Sequence, residues 1–354
     1  MGGRNQSFAI WTRINKCMEM GIVMKDKQMP IFIFIKRSRQ KEEHKLNEID
    51  NNSVAVQTEI NPKKIISHAG LSLFIMAIVI IFFNEVKEIL VQRFVPELAK
   101  TDWYIWVSTL VGIVFIGFPI FVYFIQRIPD SPKGEIVKLK PKTFIAIFFV
   151  CTAAMYITNY LSVIITFIIA AIKGEQLVNP VMEAISGSNF YFTLIYVAGI
   201  APVVEEFIFR GFLLSKLRRF GDIPAIVLTG VAFGLFHFNI SQFFYATVLG
   251  FIFAYVTIRT NTLRYSILLH MMINFIGSAV APLVLKGGLL AGGLMAIWVL
   301  GAIVAGSVLF ILNIRNIRLV KSMPIIKGSS YLLNTGVLLY VGFSIVMIVI
   351  RIIL

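Results

Sequence analysis

The chain is short of charge, of cysteine and, towards its C-terminus, of acid. Only 14% of its 354 residues are charged, against 58% hydrophobic, and the mean hydropathy is +0.83. Soluble globular domains carry about 25% charged residues, so that class is excluded. Two cysteines, Cys17 and Cys151, are too few for a disulfide framework or a cysteine-built zinc cluster. No long apolar stretch precedes Ile65, which leaves no secretory signal pattern. Gln6 stands where a myristoylation signal wants Ser or Thr. The short alternating strands of an outer-membrane barrel are missing, as are a His-Glu-x-x-His helix, an evident Ser or Cys nucleophile motif and an internal repeat. From Phe190 onward the only acidic residues are Glu205, Glu206 and Asp222.

What the chain does have is a series of apolar runs that reach the roughly 20 residues needed to cross a bilayer as a helix. The expected fold is all-α, a polytopic helical membrane protein of about eight to nine spans enclosing a polar cavity. Residues 1–64 read as a basic, partly disordered cytoplasmic segment, in which the run Ile31–Ile35 is too short to span. Residues 65–354 read as the transmembrane domain. Spans are expected near 65–83, 104–125, 143–172, 190–214, 224–237, 242–258, 264–284, 288–312 and 332–350. The net charge of +15 resides mostly in the N-terminal segment and in alternate loops. That is the positive-inside pattern, which implies a multi-pass protein of the cell membrane with a cytoplasmic N-terminus and contacts with anionic lipid. No nucleic-acid-reading motif accompanies the charge, so nucleic acid is not an expected partner.

Ionised groups at membrane depth cost about 2.5–3.5 kcal/mol each on insertion scales and mark a partner or a cavity. Glu205, Glu206 and Arg210 fall within six residues of one apolar segment. Glu206 and Arg210 are four apart and face each other on a helix, whereas Glu205 is rotated by about 100° and is free to face elsewhere. Two of the four histidines, His237 and His270, lie in later spans, each in a four-residue spacing: Phe233 with His237, and His270 with Asn274. At a rise of about 1.5 Å per residue, Glu205 lies about 15 Å from its basic boundary, with Asn274, His270 and His237 in much the same layer. Gly230 and Gly234 would let the fifth helix approach a neighbour closely. A carboxylate in such a set can act as general base on water, while a histidine and Asn274 donate to an oxyanion. His237, His270 and a glutamate also resemble a two-histidine, one-carboxylate zinc set, but without a His-Glu-x-x-His helix zinc is the weaker reading beside glutamate-activated water alone.

The series Glu-Glu-x-x-x-Arg, Phe-x-x-x-His and His-x-x-x-Asn resembles the CPBP family, which comprises the CAAX-type prenyl endopeptidases and bacteriocin-processing or abortive-infection proteins. The matching residues are Glu205, Glu206, Arg210, Phe233, His237, His270 and Asn274, within a core at about 190–285. The resemblance implies an intramembrane endopeptidase in which glutamate-activated water attacks a peptide bond, with a cavity open to the cytoplasmic side. It implies a peptide or protein substrate at the membrane, prenylated or of bacteriocin or signal type, and leaves the metal requirement open. A non-catalytic scaffold or immunity protein and an ion-coupled transporter are the competing readings. Taken singly, the Glu–Arg pair is also explained as a structural lock, and Asn274 as interhelical glue.

Overall fold

The computed structural model describes residues 61–177, 180–186, 188–320 and 328–353. Residues 1–60, with the 31–35 run and Cys17, lie outside them, so the reading of the basic segment stands as an expectation. The described residues form helices and connecting turns, with no strand among them. In chain order the helices are α1 (Pro62–Phe94), α2 (Pro96–Ala99), α3 (Tyr104–Ile125), α4 (Pro141–Lys173), α5 (Pro180–Ser186), α6 (Phe190–Phe220), α7 (Asp222–Phe236), α8 (Ile240–Thr260), α9 (Arg264–Val284), α10 (Gly288–Asn316), α11 (Gly328–Leu332) and α12 (Thr335–Ile353). Eight of these are long and apolar enough to cross a membrane, which makes the protein a polytopic helical membrane protein.

Two spans differ from expectation. The first was expected to end near Phe83, yet α1 continues to Phe94, giving 33 residues and a length of about 50 Å. The polar stretch after Phe83 holds good helix formers, and Glu88 and Gln92 bond one turn apart at 3.0 Å. The helix stops only where Pro96 removes an N–H. The expected fifth span is α7, with 15 residues and a length of about 22 Å, short of the roughly 30 Å hydrocarbon layer. It turns at His237–Asn239 and returns as α8. The turn puts Phe238 at φ +51°, and the Asn239 side chain caps α8 by accepting from the Gln242 N–H at 2.9 Å. Irregular backbone at membrane depth is tolerated where it borders a polar cavity, and this hairpin tip does so.

The hairpin closes on small residues, and the close neighbour of α7 is α8. A Cβ on Gly234 would run into the Thr247 hydroxyl and lie 2.8 Å from the Phe243 carbonyl, while one on Gly230 would meet the Phe251 ring. Gly234→Val is therefore expected to cost about 1–3 kcal/mol or more through overpacking. Thermal unfolding in detergent should show a marked drop, against little change for Gly301→Ala, whose added methyl meets open space.

The main core joins α1, α3, α6, α7, α8 and α12 through buried residues such as Met76, Phe121, Ile208, Ala225 and Tyr340. A second cluster, with Ile147, Cys151, Phe253 and Leu269, ties α4, α8 and α9. Exposed side chains such as Phe167, Ile172, Leu290 and Ile297 are apolar, as suits lipid contact. One end of the bundle is laced by the loop after α3. Ser131 N donates to Ser215 O, Val137 N to Thr260 O, and Lys216 pairs with Asp130 at 2.7 Å. The Lys216 hydrogen bond holds the Asp130 carboxyl below its ordinary pKa, against the opposing effect of burial.

Candidate active site

Prolines shape the helices around the site. In α3, α6 and α9 a widened π-type segment precedes a proline: Val111–Gly117 before Pro119, Leu194–Ile200 before Pro202, and Ile276–Val280 before Pro282. A proline in mid-helix has no N–H to give and crowds the preceding turn, and a π bulge relieves that crowding. In α6 this decides a polar contact. Ala201 N–H bonds back five residues to Tyr196 O, so the next donor in that pattern would be Pro202, which has none. Val197 O is left over, and Asn274 Nδ2 of α9 donates to it at 2.9 Å. One of the two amide hydrogens of Asn274 is thus committed to backbone, and the other remains for the cavity that Asn274 lines.

A fourth π segment, Phe207–Leu213, precedes no proline in its helix and carries Arg210. The Arg210 and Glu206 side chains are fully buried and pair at 2.8 Å between Nη1 and Oε1. Arg210 Nη2 reaches Gly250 O on α8 at 3.2 Å. The guanidinium carbon lies 4.5 Å from the centre of the Phe233 ring and 5.3 Å from that of Phe253, so aromatic faces replace water around the cation. The same Glu206 oxygen takes His270 Nδ1 at 3.0 Å. A carboxylate already paired to arginine can only accept, so His270 donates from Nδ1 and turns Nε2 the other way. Nε2 faces Glu205 Oε2 at 3.6 Å, looser than a direct hydrogen bond.

His237 is oriented by its own helix end. Its Nδ1 lies 3.0 Å from Phe233 O, and a carbonyl only accepts, so Nδ1 carries the proton and Nε2 presents a lone pair. Phe233 stands against both imidazoles, edge to face, with ring centres 5.1 Å from His237 and 5.6 Å from His270. It also covers Arg210. The sequence singled out Phe233 only by spacing, whereas in the fold its ring meets three polar groups. The signal was there in its four-residue offset from His237.

Glu205, His237, His270 and Asn274 line one cavity of about 660 Å³. Glu206 and Arg210 do not line it; they form its floor. Sequence reading missed Asn239, Gln242 and Tyr245, which make a relay on the cavity wall. Asn239 Nδ2 donates to Gln242 Oε1 at 2.7 Å, and Gln242 Nε2 donates to the Tyr245 hydroxyl at 2.9 Å. Tyr245 therefore accepts from Gln242 and keeps its own O–H to give. Residues at i, i+3 and i+6 on α8 would have shown this ladder, had its face been known. His68 is outside the site and bonds to Phe124 O at 3.1 Å, a link between α1 and α3.

Among the described residues no three His, Cys, Asp or Glu side chains are arranged to hold a metal ion. The Phe233 ring packs against both imidazoles, and His270 Nδ1 is committed to Glu206.

The cavity reaches well beyond the six site residues. Besides Glu205, its lining includes Trp106, Asn159, Thr166, Ser278, Met295 and Arg351. No curated protein and no solved structure matches the chain. The stretch that carries the six site residues does match a family model: residues 187–276 are similar to the Rce1-like family, described as Type II CAAX prenyl endopeptidase Rce1-like.

Proposed function

We propose that the protein is an intramembrane endopeptidase in which Glu205 is the general base. The observation that carries this reading is the division of labour within the acidic pair. Glu206 is locked by Arg210 and His270, whereas Glu205 sits on the cavity wall, 3.6 Å from His270 Nε2, in the same cavity that the oriented His237 lines. A water held by His237 Nε2 and Glu205 gives its proton to the Glu205 carboxylate as its oxygen attacks the peptide carbonyl carbon. Glu205 then passes that proton to the departing amine as the C–N bond breaks, leaving a carboxylic acid and an amine. The developing oxyanion needs donors fixed in advance, and the Tyr245 hydroxyl and the second Asn274 amide hydrogen are available.

The substrate in this reading is a peptide or protein segment at the membrane, and the family match supports that class. Comparing peptides in membranes that carry the natural protein or its Glu205→Ala variant identifies the substrate. Termini generated only by the natural protein are expected, and identical peptide sets would remove the proteolytic reading. Tyr245→Phe is expected to lower turnover about 10²-fold with little change in KM, since a lost oxyanion donor acts on the transition state. Unchanged turnover of the identified peptide would exclude Tyr245 from that role.

A further inference from the structure

The two ends of the helix bundle differ in charge. Backbone bonds gather one end: Ser131 to Ser215, Val137 to Thr260, and Asp222 to Val320. That end carries the bases of loops 126–140, 216–219, 259–264 and 315–318, against only three acids, Asp130, Glu135 and Asp222. The other end is gathered by Asn189 N to Asp102 O and by Lys173 Nζ to Ile352 O at 2.5 Å. Its residues 84–103, 173–189, Lys286 and Arg351 carry as many acids as bases. Short loops rich in Lys and Arg stay on the cytoplasmic side, where each base near the surface gains about 1 kcal/mol from anionic lipid.

The cavity of Glu205 belongs to the neutral end. Its depth holds buried His270, and at the neutral end it is lined by the exposed residues Met182 and Arg351. A second hollow, of about 170 Å³, enters from the basic end past Lys133, Ser215 and Asn261 and stops at Arg210. Glu205, His237 and His270 do not line it. The Glu206–Arg210–His270 knot is the floor between the two hollows, with Phe233 and Phe253 packed over the guanidinium.

We infer that the site is served from the non-cytoplasmic face, and that its substrate is a peptide segment that has crossed the membrane or lies in its outer leaflet. A cytoplasmic C-terminal tail, prenylated or not, would have to pass the buried ion pair to reach Glu205. The neutral polar lining at Asn159, Ser162, Thr166, Gln242 and Ser278 suits the N–H and C=O groups of an extended backbone. What enters rests on the proteolytic reading above; the side from which it enters rests on charge and cavity shape alone.

Thiol labelling separates the two. In a background with Cys17 and Cys151 replaced by alanine, single cysteines are placed by Arg351→Cys at the cavity rim and Lys133→Cys on the basic loop. Intact cells are treated with a membrane-impermeant maleimide. The rim cysteine is expected to react in intact cells, and the loop cysteine only after permeabilisation. The opposite pattern, reaction of both in intact cells, or no reaction at the rim under either condition would overturn the inference. The readout needs no proteolysis, so a normal labelling pattern with identical peptide sets for the natural protein and Glu205→Ala would remove the enzyme reading and leave the orientation standing.

Discussion

Glu205→Gln is expected to reduce peptide cleavage by about 10²–10⁴-fold, the usual contribution of a positioned general base, while the protein still inserts and folds. The amide keeps the size and hydrogen-bonding reach of the carboxylate and removes only its capacity to take a proton. The fold has little stake in that carboxylate. Its side chain is 14% exposed on the cavity wall, and the buried partner of Arg210 is Glu206. Thermal unfolding in detergent should therefore be nearly unchanged, and the loss should appear in kcat. Full cleavage by a folded Glu205→Gln protein would transfer the base role elsewhere. A lost fold would show that the two carboxylates share the structural load.

Glu206→Gln should behave in the opposite way. It leaves Arg210 as a buried cation without its carboxylate, and breaking such a pair from one side typically costs about 3–5 kcal/mol. The expected outcome is low yield of folded protein and a large drop in unfolding temperature. Replacing both partners by apolar residues, as in Glu206→Leu with Arg210→Met, removes the unpaired charge and should recover much of that stability. Cleavage should stay low in the double variant, because His270 has lost the acceptor that aims its Nε2 at Glu205. Recovery of both stability and activity would reduce the pair to a lock between α6 and α8. Recovery of neither would show that the knot is needed for packing in ways that volume alone does not replace.

Each of these effects depends on where a side chain points, and the sequence foretold some of those directions. The i, i+4 offset put Glu206 against Arg210 and turned Glu205 away, because helical period alone sets those angles. The same period placed Phe233 beside His237. Contacts between distant helices were a different matter. The bond from His270 to Glu206 spans 64 residues, and its existence depends on how α9 leans on α6. Asn274 shows the limit most clearly. Its spacing from His270 suggested a free donor, but Pro202 in another helix orphans the Val197 carbonyl and takes one of its hydrogens. The Asn239–Gln242–Tyr245 ladder went unread because an apolar-rich helix with polar residues at several faces does not say which face meets a cavity.

By itself, the sequence determined a helical membrane protein, the approximate spans and a polar layer built from Glu205, Glu206, Arg210, His237, His270 and Asn274. Hydrophobic length and helical period are local quantities, and one chain suffices to read them. Only the tertiary structure decided that α7 is a short hairpin arm, that Phe233 packs against both imidazoles, and that the cavity lies on the neutral side of the Glu206–Arg210 pair. Those features depend on which helix faces pack together. Packing is set by shape complementarity between segments far apart in sequence, at glycines such as Gly230 and Gly234 where backbones close and at prolines such as Pro202 where a carbonyl is set free.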